Sequence, residues 1–401
     1  MMGGEYMEIS VRPEDTLSYL SKLFKIPLQL ILDSNLHVNP MNMKPADKIH
    51  LPGYVSVPYS IKEGDTFEKI SVLRGIELDS LFLLNQTINP TQLVIGEQVF
   101  VPEKIVVPLA QEKTPLDYKR LVKLMKNLKR VYPFMEVTNI GTSVLGNPIH
   151  EIRIGKGDKK IHMNASFHAN EWITTMVLMS LLNRYLISIT NNQPVRGRKA
   201  LALYENVELS LVPMVNPDGV DLVLNGPPAH LREDLTKINE GSDDFIHWKA
   251  NIRGIDLNNQ FPANWELCRK NKKPKAPASR DFPGDDPLTE PEAAAMADLA
   301  HKNDFDLILA FHTQGEEFYW GYEGLEPAES ELLAKEFEKV SGYRAIRYVN
   351  SHAGYKDWFI QEFHRPGFTL ELGKGINPLP LSQFPEILKH AEGIFFAALA
   401  Y

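Results

Sequence analysis

The sequence predicts an α/β protein: a mixed sheet flanked by helices, preceded by two small βααβ units. Three observations carry this. From Thr114 onward, apolar runs of strand length alternate with long helical patterns. The first hundred residues repeat at a constant offset of 50. The 401 residues, 43% hydrophobic and 23% charged, have ordinary globular composition and a length suited to two or three domains.

The repeat is read residue by residue. Glu14-Asp15-Thr16 returns as Gly64-Asp65-Thr66, Asn35 as Asn85, Asn39-Pro40 as Asn89-Pro90, and Leu51-Pro52 as Val101-Pro102. Each copy opens with a short strand (Ile9–Val11; Val55–Val57), followed by an Asp-Thr helix start. Two amphipathic helices follow, Leu17–Phe24 and Leu28–Asp33, then Phe67–Leu73 and Leu78–Asn85. A closing strand (Lys48–Leu51; Gln98–Val101) is expected to stop at its proline. These units resemble the LysM domain, over about residues 8–53 and 54–103, on the Asp-Thr turn, the Asn after the second helix and the closing Val/Leu-Pro. The resemblance implies binding of N-acetylglucosamine-containing glycans, chiefly peptidoglycan or chitin. By position, the loop after the Asp-Thr turn and the Asn-Pro loop are its groove walls. The first copy has Glu14 where Gly64 stands, and one copy could serve as a spacer.

Charge and composition exclude some classes. A net charge of −8 is a poor match to nucleic acid, which requires a basic surface. The single cysteine, Cys268, excludes an internal disulfide and a cysteine zinc cluster, whereas twelve histidines leave His/carboxylate metal sites open. No run approaches the length of a membrane span. Met1–Ser10 lacks a basic segment followed by an apolar one, so no secretory signal is expected and synthesis is expected in the cytoplasm.

Residues 114–401 follow a linker at 104–113. Buried strands are expected at Ile161–Phe167, Val207–Val212, Asp306–Phe311 and Phe368–Leu372. Helices are expected at Asp117–Val131, Glu171–Ile189, Glu290–Asn303, Pro327–Ser341 and Ser382–Ala400. The first strand runs into His168-Ala169-Asn170-Glu171, where i and i+3 share one face of a helical turn. With this composition about one His-x-x-Glu arises by chance, and His230–Glu233, after a Pro-rich loop, is read as that one. The first pair gains weight from His312, which ends another buried strand, and from Glu371, near the end of a third. Two His and one Glu as ligands, with an open fourth position and an unligated Glu as base, make the composition of a catalytic zinc site.

Here the domain resembles the zinc carboxypeptidases of carboxypeptidase A type. The matching segments, in the family's order, are Phe167–Trp172, Val215–Gly219, Gly254–Asn258, Leu288–Glu292, Ala310–His312 and Phe368–Leu372. The match implies that His168, Glu171 and His312 hold one Zn2+, that Glu371 is the general base, and that Asn258 helps hold a substrate carboxylate. The family's oxyanion arginine aligns with Lys249, with Arg253 as the rival. The clamp arginine that takes a terminal carboxylate is replaced by Asn259. The active-site tyrosine aligns with Val349, beside Tyr348, so that Asn258, Asn259, Tyr348 and Lys356 are the substrate-binding residues the resemblance implies. The position that tunes the side-chain pocket is Lys356, a cation that suggests an acidic group on the substrate.

Some residues are read as structural: His162, His230, His247 and His352, the tryptophans Trp172, Trp248 and Trp358, and the solvated basic loop Arg269–Lys275. The domains are then 1–53 and 54–103, LysM; 104–113, linker; and 114–401, catalytic. The combination resembles the bacterial γ-D-glutamyl-L-diamino acid peptidases, which cut the bond from γ-D-Glu to meso-diaminopimelate or Lys in peptidoglycan stem peptides. The alternatives are a conventional or LD/DL metallocarboxypeptidase and a non-catalytic wall- or spore-binding protein. The expected partners are peptidoglycan glycan and stem peptide, with no nucleic acid or membrane, and the expected place of action is the cell wall or spore.

Overall fold

A computed structural model describes residues 5–109 and 114–401. Residues 1–4 of the stretch read for a signal, and 110–113 of the expected linker, lie outside the described residues. The chain divides into two compact units. The first takes the chain up to Leu109 together with Met125–Glu136 and Asn183–Ala202, so it recruits two segments from beyond residue 113. The second holds Val137–Leu182 and Leu203–Tyr401, with the chain leading to Leu124.

In the first unit the order is β1 (Glu5–Ser10), α1 (Leu17–Phe24), α2 (Leu28–Ser34), β2 (Lys48–Ser60), α3 (Phe67–Arg74), α4 (Leu78–Leu84) and β3 (Gln98–Lys104). The three strands form one antiparallel sheet, β1-β2-β3. Strand β2 closes the first repeat and opens the second without a break. Pro52 and Pro102 therefore do not end their strands. Pro52 sits where β2 bulges between its register with Glu8 and its register with Tyr6, and Pro102 lies on the edge strand β3; both places tolerate a missing N–H. The repeated residues do repeated work. Thr16 and Thr66 cap α1 and α3 by accepting the N–H of Tyr19 and Lys69. The buried Asn35 bridges Ile31 O to the backbone of His50, and Asn85 bridges Leu81 O to that of Phe100. Arg12 of the first repeat pairs with Asp79 of the second, at 2.6 Å.

The remaining elements are α5 (Tyr118–Val131), β4 (Glu136–Thr142), β5 (Pro148–Ile154), β6 (Lys159–Ala165), α6 (Ile173–Thr190), β7 (Pro194–Val195), β8 (Arg198–Lys199), α7 (Ala200–Asn206), β9 (Val207–Val212), α8 (Pro217–Asn225), α9 (Arg232–Ile238), α10 (Trp265–Asn271), α11 (Pro291–Asn303), β10 (Leu307–Thr313), β11 (Glu317–Tyr319), α12 (Glu329–Ser341), β12 (Arg344–Ile346), α13 (Tyr355–Phe363), β13 (Gly367–Leu372) and α14 (Phe384–Leu399). An eight-stranded mixed sheet runs β12-β11-β13-β10-β6-β9-β5-β4. Its centre, β13, β10, β6 and β9, is parallel. Every residue of β10 is buried, as expected of a strand covered on both faces. One stretch corrects the expectation that no run has membrane-span length. Ala169–Thr190, which contains α6, is long and apolar enough to cross a membrane by length and composition, but 89% of its apolar window is buried inside the fold. A helix apolar on all sides is one enclosed on all sides.

The Leu288–Glu292 segment shows what its carboxylates do. Glu292 is fully buried at the start of α11, where it accepts the N–H of Val144 at 3.1 Å. Burial first, then the nearby Asp218 and Glu290, push its carboxyl up from 4.5 to about 7. A carboxyl raised on folding stabilises the protein fully below its unfolded value and loses that contribution as pH climbs through the folded value. Unfolding of the wild type should therefore show stability falling between about pH 4.5 and pH 7. Glu292→Gln should flatten that fall; an unchanged profile would contradict the assignment.

Candidate active site

In an open α/β sheet, ligands gather at the carboxyl ends of the parallel strands. Strand β6 ends at Ala165, and Ser166, at φ 52°, turns the chain. Phe167 is anchored through its carbonyl, which accepts Asn216 Nδ2 at 3.2 Å; Asn216 also caps α8. His168 then starts a single 3-10 turn, Ala169–Glu171, that puts its ring and the Glu171 carboxylate on one face. His312 arrives one strand over, near the end of β10.

The three side chains converge. His168 Nδ1 lies 2.9 Å from Glu171 Oε1, His312 Nδ1 lies 3.0 Å from Glu171 Oε2, and the two Nδ1 atoms are 3.1 Å apart. The residues are 6%, 3% and 1% exposed. Such spacing approaches the edge of a tetrahedron with metal–ligand bonds of about 2.05 Å, roughly 3.3 Å. Two imidazoles and one carboxylate, buried and aimed at one point, form the donor set of a catalytic zinc site, and this trio could hold one ion.

Residues around the trio fix it. His168 Nε2 faces Asp256 Oδ1 at 3.3 Å, and Asp256 Oδ2 pairs with Lys249 Nζ at 3.0 Å. Asp256 is fully buried, a cost outweighed by Lys249 and His168, which hold its carboxyl well below the usual range. Glu171 accepts the Thr313 N–H at 3.3 Å and Asn377 Nδ2 at 3.2 Å. Glu371 stands on β13 directly beside His312 in the register. Burial, then the charge of Glu171, raise its carboxyl well above the usual range.

The other expected residues divide. Lys249, 18% exposed, lies close enough to act electrostatically on His168, His312 and Glu371. Arg253 does not join them: its side chain is 53% exposed and pairs with Glu290 at 3.6 Å. Lys356 corrects the sequence expectation of a cation awaiting an acidic substrate group. It is buried, donates to Gly321 O at 2.8 Å and pairs with the neighbouring Asp357 at 2.6 Å, because a buried ammonium demands its own counter-charge. Asn259 is also occupied; it is 5% exposed and accepts Cys268 Sγ at 3.6 Å. Tyr348 is half-exposed and gives its hydroxyl to Glu326 at 2.8 Å. Asn258 is half-buried and accepts the Tyr355 N–H at 3.0 Å.

Among the residues read as structural, Trp172, Trp248, Trp358 and His162 are buried, and His230 and His247 are exposed. Sequence reasoning left Asp256 without a role, although it stands two residues before Asn258. It missed Asn377, which no motif marks.

This centre, on this sheet, defines a zinc peptidase. The zinc carboxypeptidase family profile matches residues 121–391, and the LysM domain profile matches 9–52 and 59–102. The chain belongs to the zinc carboxypeptidase family. It is 57% identical to the gamma-D-glutamyl-L-diamino acid endopeptidase 1 of Lysinibacillus sphaericus, over 98% of this chain and all of that protein. It is 50% identical to an uncharacterized protein of Bacillus subtilis, over 73% of this chain and 79% of that one. The solved carboxypeptidase A of Helicoverpa armigera shares the fold, with a TM-score of 0.53 at 18% identity over 83% of this chain and 86% of that chain.

Two outcomes follow. Asn377→Ala removes one of the donors that orient Glu171, and zinc affinity measured by chelator competition should fall about 10-fold or more. Unchanged affinity would remove Asn377 from the site. Lys249→Met should lower kcat more than Arg253→Met does; the reverse order would return the oxyanion role to Arg253.

Proposed function

We propose that this zinc metallopeptidase hydrolyses the bond between γ-D-Glu and a diamino acid in peptidoglycan stem peptides. One feature of the site carries this reading beyond the family. The His168–Glu171–His312 centre and Glu371 are intact, while the position of the terminal-carboxylate clamp holds Asn259, buried and engaged with Cys268. A site without that cation does not require a free chain end beside the scissile bond. The relative's printed activity, together with 57% identity along nearly the whole chain, supports the same bond.

His168, Glu171 and His312 would hold the zinc, which supplies a Lewis acid and acidifies a water at neutral pH. Asp256 keeps the His168 ring oriented with Nδ1 inward. Glu371 takes the proton of the attacking water and returns it to the leaving amine. Lys249 supplies positive charge for the oxyanion, and Asn258 holds the substrate beside the scissile bond.

The two LysM units would bind N-acetylglucosamine-containing glycan and deliver the peptidase to the cell wall. The setting is the wall of the cell or of the spore.

The test is product analysis. Zinc-loaded protein acting on L-Ala-γ-D-Glu-meso-diaminopimelate and on longer stems should release L-Ala-D-Glu, and Glu371→Gln should abolish this. Release of only a terminal residue from the longer stems would make it a carboxypeptidase. No cleavage, with zinc bound and sacculi retained, would make it a binding protein.

A further inference from the structure

The sheet carries a row of four polar side chains across four strands. His312 on β10 is directly opposite Glu371 on β13; Glu371 is opposite Glu317 on β11; Glu317 is opposite Arg344 on β12. Residues directly opposite one another in a ladder point to the same face, so the row lies on the side where His312 and Glu371 work. Successive strands are about 4.8 Å apart. The row therefore steps outward from metal ligand to base, to a carboxylate, to a guanidinium.

The direction of this row has chemical meaning. If Glu371 hands its proton to the leaving amine, that amine lies within reach of Glu371 and one strand away from Glu317. The next group along the row is Glu317. That side chain is 13% exposed and ionised: Arg344 and the Tyr319 hydroxyl, which donates at 2.6 Å, hold its carboxyl below the usual range against the cost of burial. Beyond it stands Arg344, 72% exposed on the outermost strand and paired with Glu317. Gly315 keeps the space between the two acids open, since a Cβ there would meet Glu317 Cγ at 3.0 Å and Glu371 Cβ at 3.3 Å. Lys356, the cation expected for this task, is buried against Asp357, whereas Arg344 keeps most of its side chain exposed.

We propose that the Glu317–Arg344 pair is the recognition site for the far end of the leaving diamino acid, with Glu317 taking its ammonium and Arg344 a carboxylate on the same carbon. The assignment rests on the functional reading above and deepens it. An anion and a cation placed side by side complement a zwitterionic tip, such as that of meso-diaminopimelate, better than the lone ammonium of lysine. A neutral side chain would leave the Glu317–Arg344 pair closed on itself and gain nothing from it.

The test compares three peptides, L-Ala-γ-D-Glu followed by meso-diaminopimelate, by lysine or by Nε-acetyl-lysine. The readout is the ratio of kcat/KM values within each protein, which cancels any loss of folded enzyme. For the wild type the order should be diaminopimelate, lysine, acetyl-lysine. Glu317→Gln should cut the lysine-to-acetyl-lysine ratio about 10-fold or more, chiefly through KM, as expected for loss of a charge-assisted hydrogen bond. Arg344→Gln should cut the diaminopimelate-to-lysine ratio and spare the lysine-to-acetyl-lysine ratio. Ratios that survive both substitutions would overturn the assignment alone, and an equal fall on all three peptides would make Glu317 a positioning residue for Glu371. A wild type that cleaves none of them at the γ-D-Glu bond would overturn the functional reading and the assignment with it.

Discussion

A buried carboxylate without compensation is among the most costly groups a fold can hold, and Glu171 is 3% exposed. Around it the protein builds alternating charge: Glu171 between the imidazoles of His168 and His312, His168 against Asp256, Asp256 against Lys249, and Lys249 facing Asp281 at 3.7 Å. Neutral donors complete the shell, the Thr313 N–H and the Asn377 amide. Zinc fits where this arrangement concentrates negative charge and lone pairs. Loss of any one member leaves a neighbour buried without its partner, so the centre behaves as a unit.

The sheet supplies the spacing that the chemistry needs. Parallel β6 and β10 bring His168 and His312 to one edge, and the register of β13 puts Glu371 beside His312. Short β11 turns antiparallel to β13 and adds Glu317 to the same row. Because side chains alternate faces along a strand, a slip of one residue in any of these ladders would turn its functional group away from the site. Asn216, which ties Phe167 and Ala250 together and caps α8, holds the loop that carries His168.

Much of this was legible in the sequence, and for identifiable reasons. The offset of 50 was readable because its members serve local geometry: Thr16 and Thr66 as caps, Asn35 and Asn85 as ties from helix to strand. Strands and helices of the second part were readable because their apolar runs are long and buried. His168, Glu171, His312 and Glu371 were readable because each sits at the end of such a run. Where the sequence misled, a neighbour in space decided the outcome. Lys356 looked available until Asp357 proved to neutralise it in the interior. Pro52 does not stop β2, since a bulge accommodates it. Asn377 carries no motif, since it reaches the site only through tertiary placement.

The most direct measurement is the zinc anomalous difference density of the zinc-loaded crystalline protein. One strong peak bonded to Nδ1 of His168, Nδ1 of His312 and the Glu171 carboxylate, with Glu371 beside it and unligated, is the predicted result. A peak elsewhere, ligation through Nε2 of either histidine, or Glu371 bound to the metal would contradict the division into three ligands and one free base on which this account of catalysis stands.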